Sequence, residues 1–230
     1  MTSLSRRGIV NDESSASTNV DYRKGDAREK ETVAAILNEG GYSGIVHCIG
    51  LLFDDASGLG RFNVFVSGSG SIPDENSTYD TITRVTAFNA IDAAVEYAQQ
   101  QQLSQGLPFC FTSAAEAGWP DVALGPQIEQ FLAPEWLRRY LAAKRAVEEK
   151  LMASVPALRP VIVRPSLIYS LDRPSSYVPV GAFFVGNKVG LPFVDRPVTV
   201  QSLGCAVVRA MGQNDVSGIQ RYKEIDALSQ

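Results

Sequence analysis

A chain of 230 residues with 45% hydrophobic content is long enough to bury a full core as one α/β domain, with or without a small appended lobe. The net charge of -4 and the absence of any dense run of Lys and Arg argue against nucleic acid as a partner. Cys48, Cys110 and Cys205 are far apart and set in apolar runs, so they read as buried free thiols and not as a disulfide framework or a zinc site. No apolar run reaches the roughly 18 residues of a transmembrane helix, and MTSLSRRGIV carries neither a signal-peptide core nor a clear transit peptide.

Along the chain, short β-branched runs alternate with helical stretches, the pattern of βαβ units and a mostly parallel sheet. Strands are predicted near Thr2–Ser5, Val20–Lys24, Gly44–Cys48, Pro108–Thr112 and Pro160–Pro165, with helices at about Arg28–Asn38, Tyr79–Gln100 and Pro134–Ser154. The second helix carries Ile82, Val85, Phe88, Ala90, Ile91, Ala94 and Tyr97 at near-helical spacing, one face for the sheet. Polar, Ser-rich Asn11–Asn19 reads as a surface loop, and Asp54–Ser77 as a Gly/Ser insertion that is either a lid or a plain surface loop. After Pro165 the texture turns to loops and short elements, which suits a small substrate-side lobe. Residues 1–165 are therefore read as the main part of one α/β domain, and 166–230 as its C-terminal part with that lobe.

Tyr140 and Lys144 stand four residues apart on a predicted helix, so phenol and ammonium share one face, and a nearby cation is expected to lower the phenol pKa. Ser113, at the carboxyl end of a strand, can hydrogen-bond the same substrate oxygen. A YxxxK pair also arises by chance on solvated helices. The order FCFTSAAEAG, RRYLAAKRAVEEKL, VIVRPSLIYS, however, resembles the Ser-bearing strand, YxxxK helix and following strand of the extended and atypical short-chain dehydrogenase/reductases. Ser3–Gly8, Val66–Gly70, Asn89–Ala94 and Arg196–Val200 extend the resemblance to a subgroup that includes a coenzyme Q biosynthesis-associated protein and an accessory subunit of respiratory complex I.

The resemblance implies an N-terminally truncated, Rossmann-like doubly wound parallel sheet. It implies Ser113, Tyr140 and Lys144 as catalytic residues, with Lys144 also on the cofactor ribose, and Pro165 and Ser166 beside the nicotinamide. Ser5 and Arg6 would meet an adenosine 2′-phosphate, favouring NADP(H) over NAD(H), although Arg6 and Arg7 also read as solvated turn residues. Asp26 would touch the adenine or simply cap a helix. Cys48, Ile49 and Gly50 would run beneath the cofactor, or Gly50 only turns the chain.

The Gly-rich turn that cradles a pyrophosphate after the first strand has no counterpart here, and the glycines of Ser67–Gly70 open no helix. Met1 falls inside what the resemblance makes the second strand, so a strand is expected to be missing from mid-sheet, with its neighbours left unpaired. The function expected is an NADP-dependent oxidoreductase, or an epimerase or dehydratase, on a carbonyl or alcohol substrate linked to quinone metabolism. The alternative is a non-catalytic Rossmann scaffold in an organellar membrane-associated complex, mitochondrial or chloroplast, with membrane-complex proteins as partners. A serine hydrolase is disfavoured, since the single histidine, His47, lies on a core strand and no GxSxG surrounds Ser113. The apolar stretch Tyr177–Gly190 would line a pocket for an apolar substrate, fill the core, or face a membrane partner.

Overall fold

The computed structural model describes residues 1–8, 19–63, 72–170 and 185–230. In chain order its elements are β1 (Thr2–Ser5), β2 (Asp21–Lys24), α1 (Lys30–Asn38), β3 (Ile45–His47), a π-helical turn (Asp80–Val85) running into α2 (Thr86–Gln100), and β4 (Leu107–Thr112). A 3-10 segment (Ala115–Asp121), α3 (Gly125–Phe131), α4 (Glu135–Ala153), β5 (Leu158–Val163), β6 (Ile168–Tyr169), β7 (Val198–Thr199), α5 (Val200–Gly212), β8 (Gly218–Gln220) and α6 (Tyr222–Ser229) follow.

Every described pairing is parallel. The central sheet has the order β3-β4-β5-β8, while β1-β2 and β6-β7 form separate pairs. The chain winds outward from β3 through β4 and β5 to β8, and from β1 to β2 in the other group, as in a doubly wound fold. Among the described residues no strand joins β1 to β3, so the gap expected between them is present.

Alternation along the central strands builds two cores. Leu107, Phe109 and Phe111 of β4 and Leu158 and Ile162 of β5 meet α1, α2 and α4, whereas Cys110, Val161 and Val163 meet α5 and α6. The buried stripe of α2 is Thr86, Ala87, Ala90, Ile91, Ala93, Ala94, Tyr97 and Ala98, in which the five alanines let the backbone approach β4 closely. Phe88, expected on that face, is only partly buried, with the Arg84 and Lys150 cations over its ring at 5.5 and 4.8 Å. On the other side, Arg159 of β5 donates to the Ala210 and Met211 carbonyls at the end of α5, at 3.1 and 2.8 Å, and to Val216, satisfying groups the helix leaves open.

Two expectations need correction. Only Cys110 is a buried thiol, because Cys48 and Cys205 are exposed, one on an open strand end and one on the outer side of α5. The helix expected to start at Arg28 starts at Lys30, since Asp26 first closes a turn by accepting from the Arg28 N–H at 2.9 Å. Nearly all of the Asn11–Asn19 loop, residues 64–71 of the Asp54–Ser77 insertion, and 171–184, which include Phe183 and Phe184, lie outside the described residues.

Candidate active site

Helix α4 is the platform. Leu141, Val147 and Leu151 anchor it in the core, and this same face carries Lys144 and Glu148 inward. The Lys144 ammonium donates to the Thr112 carbonyl at the end of β4 at 2.7 Å and lies 4.9 Å from the Phe111 ring centroid and 5.5 Å from that of Tyr140. Burial pushes its pKa down to about 8. Glu148 two-handedly grips the buried Arg164 at 2.9 and 2.6 Å, which fixes α4 against the end of β5.

Ser113 follows β4 directly, its N–H donating to the Val163 carbonyl at 2.8 Å, and its Oγ is buried without a hydrogen-bond partner. Ser166, just beyond Pro165, whose carbonyl receives the Ala115 N–H at 2.9 Å, turns its hydroxyl toward the Glu116 carboxyl. A buried, unpartnered hydroxyl at a strand end is suited to an oxygen-bearing ligand. Tyr140 stacks edge-on to Tyr79 at 5.6 Å, and its phenol is pushed well up by burial, then by Glu116 and Tyr79. That is opposite to the lowering expected from Lys144, because loss of hydration around the buried phenol dominates and Glu116 and Tyr79 add to it.

Across the mouth, the chain leaves β3 through Cys48, Ile49 and Gly50. A side-chain carbon at Gly50 would stand 3.5 Å from Lys144 Nζ, so this turn passes directly over the ammonium. Cys48 receives the Thr112 hydroxyl at 3.8 Å, and Ile49 packs into the main core. Ser113, Tyr140, Lys144, Cys48, Ile49, Gly50, Pro165 and Ser166 therefore gather at the carboxyl ends of β3, β4 and β5, where open α/β sheets bind ligands.

The remaining predicted residues sit apart, at the end of β1 and beyond β2. Ser5 Oγ accepts from the Gly8 N–H at 3.0 Å, closing a turn that places Arg6 in solvent. The Asp26 carboxylate is held below its ordinary pKa chiefly by Arg28, which reaches it at 2.5 Å, with Arg6 adding to the effect. Asp26 thus closes a turn and pairs with Arg28 and does not cap α1, whose N-cap residue is Glu29. Asn89 pins the same turn by donating to the Ala27 and Arg28 carbonyls at 3.1 and 2.7 Å.

Two features escaped sequence reasoning. Glu116, three residues beyond Ser113, has its carboxyl pushed up to about 7, first by burial and then by Asp195, and it acts on the Tyr140 phenol. The spacing FTSAAE was visible, but nothing in it says the carboxyl turns inward. Asp54, fully buried, takes a fork of hydrogen bonds from Arg139 at 2.9 and 3.2 Å. With the Phe53–Trp136 ring pair at 4.8 Å and Tyr79 Oη donating to Leu52 at 2.8 Å, this clamps the start of the insertion onto α4 beside Tyr140. His47 is the core residue expected, its Nε2 at 3.1 Å from Thr86 Oγ1, yet its Nδ1 has no partner and burial pushes it down to about 3.

A nicotinamide dinucleotide fits one end of this arrangement. The open Ser113 hydroxyl, Lys144 and the Gly50 turn would suit a nicotinamide ribose, whereas no strand, glycine turn and helix for a pyrophosphate lie among the described residues.

No protein-family model matches the chain, and no curated protein is significantly similar to it. Among solved structures it is similar to the enzyme WbmH of Bordetella bronchiseptica in complex with NAD+ (TM-score 0.57, 16% identity, 96% of this chain and 66% of that one). It is also similar to dTDP-4-dehydrorhamnose reductase of Bacillus anthracis in complex with NADP (0.53, 15%, 88% and 64%) and UDP-glucose 4-epimerase of Thermus thermophilus in complex with NAD (0.56, 15%, 99% and 74%). The chain spans about two thirds of the length of the first two of these proteins. The fold is the parallel, Rossmann-like α/β fold that these nucleotide-complexed enzymes share.

Proposed function

We propose that the chain belongs to the short-chain dehydrogenase/reductase type and binds a nicotinamide dinucleotide over the carboxyl ends of β3 and β4, serving an oxidoreductase or an epimerase or dehydratase on a carbonyl or alcohol substrate. The observation that carries the reading is the buried Lys144 ammonium, seated on the Thr112 carbonyl under Gly50, with the unpartnered Ser113 hydroxyl on the next residue and Tyr140 one helical turn away. The dinucleotide, when bound, supplies hydride transfer. Tyr140, its pKa raised, keeps its proton through the neutral range and donates it to a substrate oxygen that Ser113 orients. Lys144, still mostly cationic at pH 7, holds ribose hydroxyls and favours any negative charge that develops on the phenol oxygen.

NADP(H) is the preferred form in this reading, supported by solvent-facing Arg6 in the turn after β1. A quinone-like or otherwise apolar substrate, an organellar setting and membrane-complex partners rest on the sequence resemblance. Titration with NADPH and NADH, followed by quenching of Trp119 and Trp136, tests the proposal. Saturable binding, tighter for NADPH and lost in Lys144→Met, is expected; no saturable binding of either by the folded chain would overturn it.

A further inference from the structure

Of the six lysines in the chain, only Lys144 is withdrawn from water. Lys24, Lys188 and Lys223 are exposed, while Lys30 and Lys150 pair with the Glu96 and Asp92 carboxylates at 2.6 and 2.7 Å. Lys144 is buried, and among the described residues its only hydrogen-bond acceptor is the Thr112 carbonyl at 2.7 Å. No carboxylate forms an ion pair with it there, because Glu148, one turn further along α4, gives both oxygens to Arg164 at 2.9 and 2.6 Å. A lysine without water and without a carboxylate partner gives up its proton readily, and the free amine is the form that attacks carbonyl carbon.

The neighbours supply what such an attack needs. Tyr140, one turn earlier on α4, has its ring centroid 5.5 Å from the Lys144 nitrogen and carries a phenol that holds its proton. The Ser113 hydroxyl, one residue past the carbonyl that seats Lys144, is buried and unpartnered, open to an aldehyde oxygen. On the opposite side, a side-chain carbon at Gly50 would stand 3.5 Å from Nζ, so glycine keeps the space over the nitrogen clear, and Cys48 in the same turn is exposed. The remaining titratable groups facing Lys144 are that Cys48 thiol and His47, whose ring burial keeps neutral.

We propose that the Lys144 amine takes up small aldehydes as a reversible imine, with Tyr140 moving the protons and Ser113 holding the aldehyde oxygen. The nitrogen lone pair forms a bond to the aldehyde carbon, and the carbonyl oxygen takes the Tyr140 proton. The nitrogen returns one of its own protons to the phenolate, which leaves a neutral carbinolamine. The hydroxyl then departs as water with the Tyr140 proton while the nitrogen pair closes the C=N bond, and the last nitrogen proton restores the phenol. One amine and one aldehyde give one imine and one water, with no oxidant or reductant. Small aldehydes are the class that fits, because the Gly50 turn passes directly over the nitrogen. The inference rests on the surroundings of Lys144 and not on nicotinamide binding, although a ribose on Lys144 and an aldehyde would compete for the same nitrogen.

The test is reductive trapping on the full 230-residue chain with acetaldehyde and cyanoborohydride, the rate at each lysine read by peptide mapping. Burial pushes Lys144 down to about 8, so at pH 7 about a tenth of it is free amine, against roughly one part in three thousand for a lysine at 10.5. Lys144 is therefore expected to be alkylated at least about tenfold faster than Lys30 at pH 7. Between pH 7 and 9 the ratio of the two rates should fall about tenfold, since the free-amine fraction of Lys144 approaches its limit while that of Lys30 keeps rising about a hundredfold. Saturating NADPH should suppress the Lys144 adduct; an adduct that forms equally well with NADPH present would leave the imine standing and count against the nicotinamide reading alone. Lys144 left unmodified at pH 7, or modified no faster than Lys30, would overturn the inference, as would a rate ratio that stays constant from pH 7 to 9.

Discussion

Replacing Lys144 by Met should stabilise the protein at neutral pH, and the gain should fade as pH rises. In the folded chain Lys144 is 4% exposed, and burial pushes its pKa down from 10.5 to about 8. Below pH 8 both folded and unfolded forms hold the proton, and the folded form carries the full cost of a buried charge. Between pH 8 and 10.5 the folded form has lost the proton and the unfolded form has not, so unfolding takes up a proton and stability rises with pH. At about 1.4 kcal/mol per pH unit, the interval from 10.5 down to about 8 corresponds to roughly 3 kcal/mol. The lost bond to the Thr112 carbonyl offsets about 1 kcal/mol of the gain at every pH and leaves the slope unchanged. Urea unfolding of both proteins at pH 7, 8, 9 and 10 reads the difference directly. The advantage of the Met variant should shrink by about 2–3 kcal/mol across that series, and a difference constant to within about 0.5 kcal/mol would refute the buried-cation argument.

Three further outcomes are expected. His47→Gln should make the fold more acid-resistant than the parent, because the parent's folded histidine, with its pKa pushed down to about 3, gives stability that is complete above pH 6.5 and lost as pH falls toward 3; acid unfolding by circular dichroism checks this. Glu116→Gln should gain stability over the parent as pH rises from 4.5 to 7, since the parent's raised carboxyl loses stability through that window, and parallel denaturation at pH 4.5 and 7.5 would show no change in the gap if the carboxyl faced water. Arg139→Met should cost roughly 3 kcal/mol by leaving the buried Asp54 carboxylate unpaired, and limited proteolysis should then cut near residues 54–63, which stay resistant in the parent.

Much of the frame was legible in the linear chain. Strands at Thr2–Ser5 and Pro108–Thr112 and the helix over Pro134–Ser154 lie within about two residues of their predicted bounds, because β-branched runs between turn signals and a long amphipathic period leave little choice of local structure. Tyr140 and Lys144 on one helix and Ser113 at a strand end were legible for the same reason, whereas the break between β1 and β3 was implied by the family resemblance. What sequence left open was the environment. Cys48 and Cys110 read alike in apolar runs, yet one lies at the strand end on an open edge and the other between two paired strands. The inward turn of Glu116, the clamp of Asp54 on Arg139 across 85 positions, and the upward push on Tyr140 all depend on which distant groups arrive at the carboxyl ends of the sheet. Local pattern sets the period of each element, but desolvation and charge pairing are properties of neighbours in space, and only the packed sheet and helices determine those.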